Sequence, residues 1–187
     1  MPDPSKLALG HIELVDYDPR WPESFGVEYD LLQSLPHSPF IELEHFGSTA
    51  VPGLRAKPII DIMASVTRLQ DTEAFSAVLK GAGYRLLDVG FRKRHFFQKA
   101  AIDEAPRVHL HVVTDAAWPH KNERLLRNWL IARADVAVAY ERLKATLAQR
   151  FPEDPQAYTE GKTTFLRDAV NDARASHGLA PEVCWDE

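Results

Sequence analysis

With one cysteine, Cys184, in 187 residues, the chain has neither a disulfide framework nor the thiolates for a zinc cluster. No run approaches the ~20 apolar residues that a membrane span needs, and the opening MPDPSKLALGH lacks the apolar core of a secretory signal. Positive charge is not in excess either. Twenty-two lysines and arginines face 27 acidic residues, and the formal net charge of -5 gives no general attraction to a polynucleotide backbone. Repeats, low-complexity tracts and linker-like stretches are missing as well. These absences predict a cytoplasmic protein with no membrane or nucleic-acid partner, folded as a single domain over 1–187 with a loosely held tail from 176 to 187.

What is present is concentrated in residues 40–66, FIELEHFGSTAVPGLRAKPIIDIMASV. Phe40 to Phe46 alternate, placing Ile41, Leu43 and His45 on one face and Glu42, Glu44 and Phe46 on the other. Beyond the loop, Ile59, Ile60, Ile62, Ala64 and Val66 predict a strand apolar on both faces, with Asp61 set into it. A carboxylate there is costly unless it is paired, hydrogen-bonded or bound to a cation. The expectation is an anion and metal site formed by Asp61 with the loop at Gly47 and Ser48, and with Glu44 on the same side. Gly47, Ser48 and Thr49 offer amides and hydroxyls to a phosphate, although such a turn is more often only a turn. Lys57, at the loop end, reads as a phosphate partner or as a solvated cation.

Trp21, Phe25, Tyr29 and Leu32 recur at helical spacing after a first-turn Pro22 and read as core. Asp71 reads as the cap of a helix over Phe75, Val78, Leu79 and Ala82, and Tyr84 to Val89 as a strand. The cations Arg92, Lys93 and Arg94 precede a strand from Phe96 to Ile102, which turns at 103–106 and returns as Arg107 to Val113. The two-residue period puts Arg107, His109 and His111 on one face, with the imidazoles ~7 Å apart along it. Such a pair suits a metal or a phosphate. Leu125, Leu126, Trp129 and Leu130 predict a helix. Asp135 reads as the cap of another, with a stripe of Val136, Tyr140, Leu143 and Leu147. A final helix is expected from Gln156 on, with Tyr158 and Lys162 one turn apart and Phe165, Leu166, Ala169 and Ala173 inward.

Taken together, VDYDPRWPESF, HFGSTAVPGLRAKPIIDI, HLHVV, NWL, AYERLK and YTEGKTTFLRDA make the chain resemble the GrpB family, relatives of the DNA polymerase beta-like nucleotidyltransferases, over nearly its full length. The resemblance implies an α/β (α+β) fold, a nucleotidyltransferase-like mixed β-sheet flanked by helices. It implies Gly47–Ser48 as the turn that receives a nucleotide phosphate and Asp61 as the catalytic metal ligand. The superfamily holds divalent ions with carboxylates from two strands, whereas this sequence has Met63 at the second position and His109 and His111 on the strand that would bring the third.

The resulting expectation is an enzyme of nucleotidyl transfer from a nucleotide to a small-molecule acceptor. Its divalent ion, Mg2+ or Mn2+ with Zn2+ as the alternative, would be held by Asp61 with Glu44, His109 and His111. Phosphate would be met by Gly47, Ser48, Thr49, Lys57, Arg94, Arg107 and Lys162. Two other readings stand beside it: nucleotide binding without turnover, and metal-dependent phosphoester hydrolysis, in which imidazole ligands are more at home.

Overall fold

Five runs of apolar residues pair into one sheet in the computed structural model, which describes residues 11–182. The strands are β1 (Leu43–Phe46), β2 (Ile59–Val66), β3 (Tyr84–Leu87), β4 (His95–Lys99) and β5 (Arg107–Thr114), in the order β1-β2-β5-β4-β3. Only β2 and β5 run parallel; the other pairings are antiparallel. β2 lies between two neighbours and is covered on both faces, as its unbroken apolar run predicts.

One face of the sheet packs against α1 (Trp21–Ser34) and α2 (Leu69–Gly81), where Leu32, Ile60, Ile62, Leu79, Phe97 and Leu110 are sealed from solvent. The other carries a helical layer of α3 (Asn122–Ala132), α4 (Ala134–Arg150), α5 (Pro155–Glu160) and α6 (Thr163–Ser176). Val51 and Leu54 of the β1–β2 loop anchor this layer against Leu130 and Tyr140.

Several expectations change in detail. Asp71 and Asp135 are not caps: each sits inside the first turn and pairs at 2.8 Å with an arginine before the helix, Arg68 and Arg133. A carboxylate there still complements the positive end of the helix. Tyr29 leaves the core and is 39% exposed. The expected final helix is two. It breaks at Gly161, where a β-carbon would come within 2.5 Å of Leu147 Cδ2, so the glycine lets α5 fold back against α4. The stretch from 176 opens as the last residue of α6 and is tied as far as 182, with Asn171 Oδ1 accepting the Glu182 N–H at 2.8 Å. Residues 1–10 and 183–187, and with them Cys184 and most of the opening segment, lie outside the described residues.

Candidate functional site

Register builds the site. Across the sheet face that α3 covers run two rows of side chains, Phe46–Asp61–His109–Gln98 and Glu44–Met63–His111–Phe96. Asp61 and His109 stand opposite each other on the parallel pair, with Asp61 Oδ1 3.3 Å from His109 Nδ1 and His109 Nε2 3.3 Å from the Gln98 amide. One ligand atom each from Asp61, His109 and His111 lies within 4.8 Å of the others. Burial pushes the Asp61 carboxyl up, but the hydrogen bond from His109 and the charge of Lys57 hold it below the usual range. Burial also drives His111 down to about 3 against the pull of Asp61, which keeps the imidazole neutral.

Gly47 closes the site from the β1 side. Its φ of +73° suits glycine, and a β-carbon there would run into the Asp61 carboxylate. Ser48 turns toward the helical layer, where Lys144 Nζ donates to its Oγ at 3.2 Å and also to the Arg55 carbonyl. Thr49 faces inward: its hydroxyl donates to the Ile59 carbonyl at 2.9 Å, so His45 Nε2, at 3.0 Å, must be the donor to it. That commits the Thr49 hydroxyl within the fold, away from any phosphate.

Three lysines from separate segments gather here. Lys57 and Lys162 lie 5.5 and 4.5 Å from the Tyr158 ring, and Lys144 lies 4.8 Å from that of Tyr140. Burial, then the charge of Lys162, lowers Lys144 to about 7; burial, then Lys57, lowers Lys162 to about 8. Among the described residues none of the three is in an ion pair. Lys144 was not a sequence candidate. The signal was its spacing, because Tyr140, Lys144 and Leu147 form one buried stripe.

The other candidates fall outside this group. Glu44 shares the sheet face but is held by Arg124 at 2.7 Å and Arg127 at 2.8 Å, which keep its carboxyl below the usual range despite burial. Arg94 pairs with Glu123 at 2.7 Å and only grazes His111 Nδ1 at 3.5 Å. The neighbouring His95 is opposite Val112, while Arg107 is opposite Ile59, so the two arginines belong to opposite ends of β5. Arg107 instead lines a cleft of about 620 Å³ with Lys57, Ile59, Arg20 and Trp21. Asp61, His109 and His111 do not line that cleft, which adjoins them through Ile59 and Lys57.

The depressed lysines make stability depend on pH with a definite sign. Between about 7 and 10.5 the unfolded chain holds the Lys144 proton and the folded chain does not, so stability rises with pH across that window. The limit is about 1.4 kcal/mol per pH unit for one full proton. Lys162, Tyr140, Arg55 and Glu141 surround the amine. Urea unfolding of the protein and of Lys144→Met at pH 7 and 9.5 is expected to show a smaller rise in the variant; equal rises would mean that Lys144 is charged throughout.

The family profile described as GrpB protein matches residues 11–172. The chain belongs to the GrpB family. It is 38% identical over 168 residues to a UPF0157 protein of Pseudomonas aeruginosa, covering 88% of this chain and 69% of that protein. It is 34% identical over 167 residues to the glutamate-rich protein GrpB of Alkalihalophilus pseudofirmus, covering 87% of this chain and 96% of that one. Among solved structures it is similar to the conserved protein GrpB from Enterococcus faecalis, with a TM-score of 0.79 and 28% identity over 89% of this chain and 99% of that one. More distant likenesses are of fold alone. The GLD-2/RNP-8 complex gives a TM-score of 0.57 at 12% identity, over 86% of this chain and 61% of that one, and the Cid1 poly(U) polymerase gives 0.50 at 15%, over 73% and 43%. This GrpB chain has a nucleotidyltransferase-like fold. Among the described residues no helix is long and apolar enough to cross a membrane.

Proposed function

We propose that this GrpB protein binds the phosphates of a nucleotide between Ser48 and the lysines Lys57, Lys144 and Lys162, and acts as a nucleotidyltransferase-like enzyme on a small-molecule acceptor, with a divalent cation at Asp61. The observation that carries the reading is the gathering of three amines, partly stripped of water and, among the described residues, in no ion pair, beside the Gly47–Ser48 turn. Such an arrangement raises the energy of the empty site, and an anion relieves it. The lysines neutralise and orient phosphate oxygens, while Ser48 Oγ fixes their position. A bound cation would supply charge neutralisation on the Asp61 side. The acceptor is assigned to the cleft beside Lys57 and Arg107, whose volume suits a small molecule. A polynucleotide is not the expected partner, because the net charge is negative and Lys57, Lys144 and Lys162 converge on one point in place of forming a stripe.

Calorimetry with nucleoside triphosphates tests the reading. Lys144→Met is expected to weaken binding by at least one charge-assisted contact, about 1.5–3 kcal/mol, and the loss should be similar for ATP and GTP. Affinity unchanged in both Lys144→Met and Lys162→Met would remove the cradle from the account. Binding without turnover is the second reading, and Met63 favours it: fully buried, it fills the place of a second carboxylate. Release of pyrophosphate in the presence of acceptors separates the two.

A further inference from the structure

The carboxylate platform that seats a pair of magnesium ions needs a second acidic residue beside Asp61, and the structure has no room for one. Met63, next along the same face of β2, is sealed among Phe46, Val113 and Trp118. Glu44, across from Met63, is occupied by two arginines. Two imidazoles of β5 stand in their place. Nitrogen donors suit d-block ions, whereas Mg2+ prefers an octahedron of oxygens and keeps its waters.

We propose that Asp61, His109 and His111 form a three-ligand site for a single d-block cation, zinc first, in place of a magnesium pair. Three atoms within 4.8 Å of one another lie at most about 2.8 Å from a common centre, and contraction to the ~2.0–2.1 Å of zinc ligands is a shift of about 0.7 Å each. Asp61 Oδ1 and His109 Nδ1 are already 3.3 Å apart, near the separation of two ligands on one tetrahedral ion. The surroundings accept the change. Turning the Gln98 amide presents its oxygen to His109 Nε2–H, which fixes the tautomer that leaves Nδ1 for the ion. Arg94 can leave His111, to which it is bound only at 3.5 Å, because Glu123 holds it at 2.7 Å. A quarter of the Asp61 side chain is exposed, so the site has an open position and a way in. Two imidazoles with one carboxylate are the donor set of open zinc sites and of non-haem iron(II) sites.

The inference rests on the reading of Asp61 as a cation ligand, and the test separates it from the nucleotide proposal. The full chain, freed of metal, is titrated with zinc chloride alone, with magnesium chloride alone, and with cobalt(II), whose visible absorption reports nitrogen and oxygen ligation. One equivalent of zinc per chain is expected, with cobalt bands that zinc abolishes and equimolar magnesium leaves intact. His111→Gln and Asp61→Asn should each weaken zinc by more than the roughly 10- to 100-fold that loss of a supporting neighbour costs. Asp61→Asn keeps the size of the side chain and one acceptor, so a fold check by melting temperature guards against a collapsed His111 variant. Absence of zinc binding, zinc affinity unchanged in either variant, or magnesium displacing cobalt at equal concentration would each overturn the site. Nucleotide affinity measured in chelator reads the lysine cradle independently of all three.

Discussion

Gly47→Ala is expected to unfold at a midpoint well below that of the parent, and well below that of Gly53→Ala. Both glycines have positive φ, +73° and +79°, but a β-carbon at 53 meets nothing within 4 Å, whereas at 47 it meets the Asp61 carboxylate. Asp61 cannot step aside cheaply. Its strand is locked in register to Phe46 on one side and His109 on the other, and its carboxylate is bound to that imidazole. Gly47 also has ψ near 180° with positive φ, a region closed to side chains, which costs about 1–3 kcal/mol; the overlap adds a similar amount. A total of about 2–6 kcal/mol is a large share of the stability of an ordinary domain. Thermal unfolding of the two variants side by side decides it. If Gly47→Ala melts no lower than Gly53→Ala, the contact between the turn and Asp61 is looser than described.

Glu44→Ala is the second large effect. It removes the anion from Arg124 and Arg127, whose side chains are only about a fifth exposed and keep the carbonyls of Trp118 and His45, the Asn128 side-chain oxygen and the Trp118 ring as other contacts, none of them an anion. Breaking a buried pair from one side costs about 3–5 kcal/mol, and partial exposure reduces this to about 2–4. The same group sets part of the acid limb. Because the folded Glu44 carboxyl lies below its unfolded value of 4.5, its contribution is present above that pH and is lost as pH falls through the folded value. Urea midpoints at pH 7 should therefore fall in Glu44→Ala, and the further fall between pH 5 and 3 should be shallower than in the parent. A parallel acid limb would show that the arginines are satisfied elsewhere.

Much of this was open to a reading of the residues alone, where local period decides orientation. The apolar run around Asp61 and the His-x-His alternation of β5 are set by a repeat of two, so the shared face of Glu44, Asp61, His109 and His111 follows from strand geometry once β1, β2 and β5 are neighbours. Partners distant in the chain are another matter. Nothing near Glu44 announces Arg124 and Arg127, eighty or more residues on, and nothing near Arg94 announces Glu123. Thr49 was legible as a turn residue, but the direction of its hydroxyl depends on where Ile59 returns. Lys144 escapes notice in the sequence because a lysine in a helix is normally solvated; its place on the Tyr140–Leu147 stripe outweighs that rule.

The parallel pairing of β2 with β5 also fixes when the site can exist. On a growing chain β2 can pair with β1 at once but waits for its second partner some forty residues later, and the sheet is complete only after Thr114 has been made. The amines of α4 and of the α5–α6 junction follow later still, so for a time during synthesis Asp61 is set in a finished sheet with Lys57 alone of the three amines beside it. At about 5–20 residues per second that interval lasts seconds. A fragment of the chain that ends between Thr114 and Asn122 would therefore present the Asp61 face uncovered, where a protease can reach it.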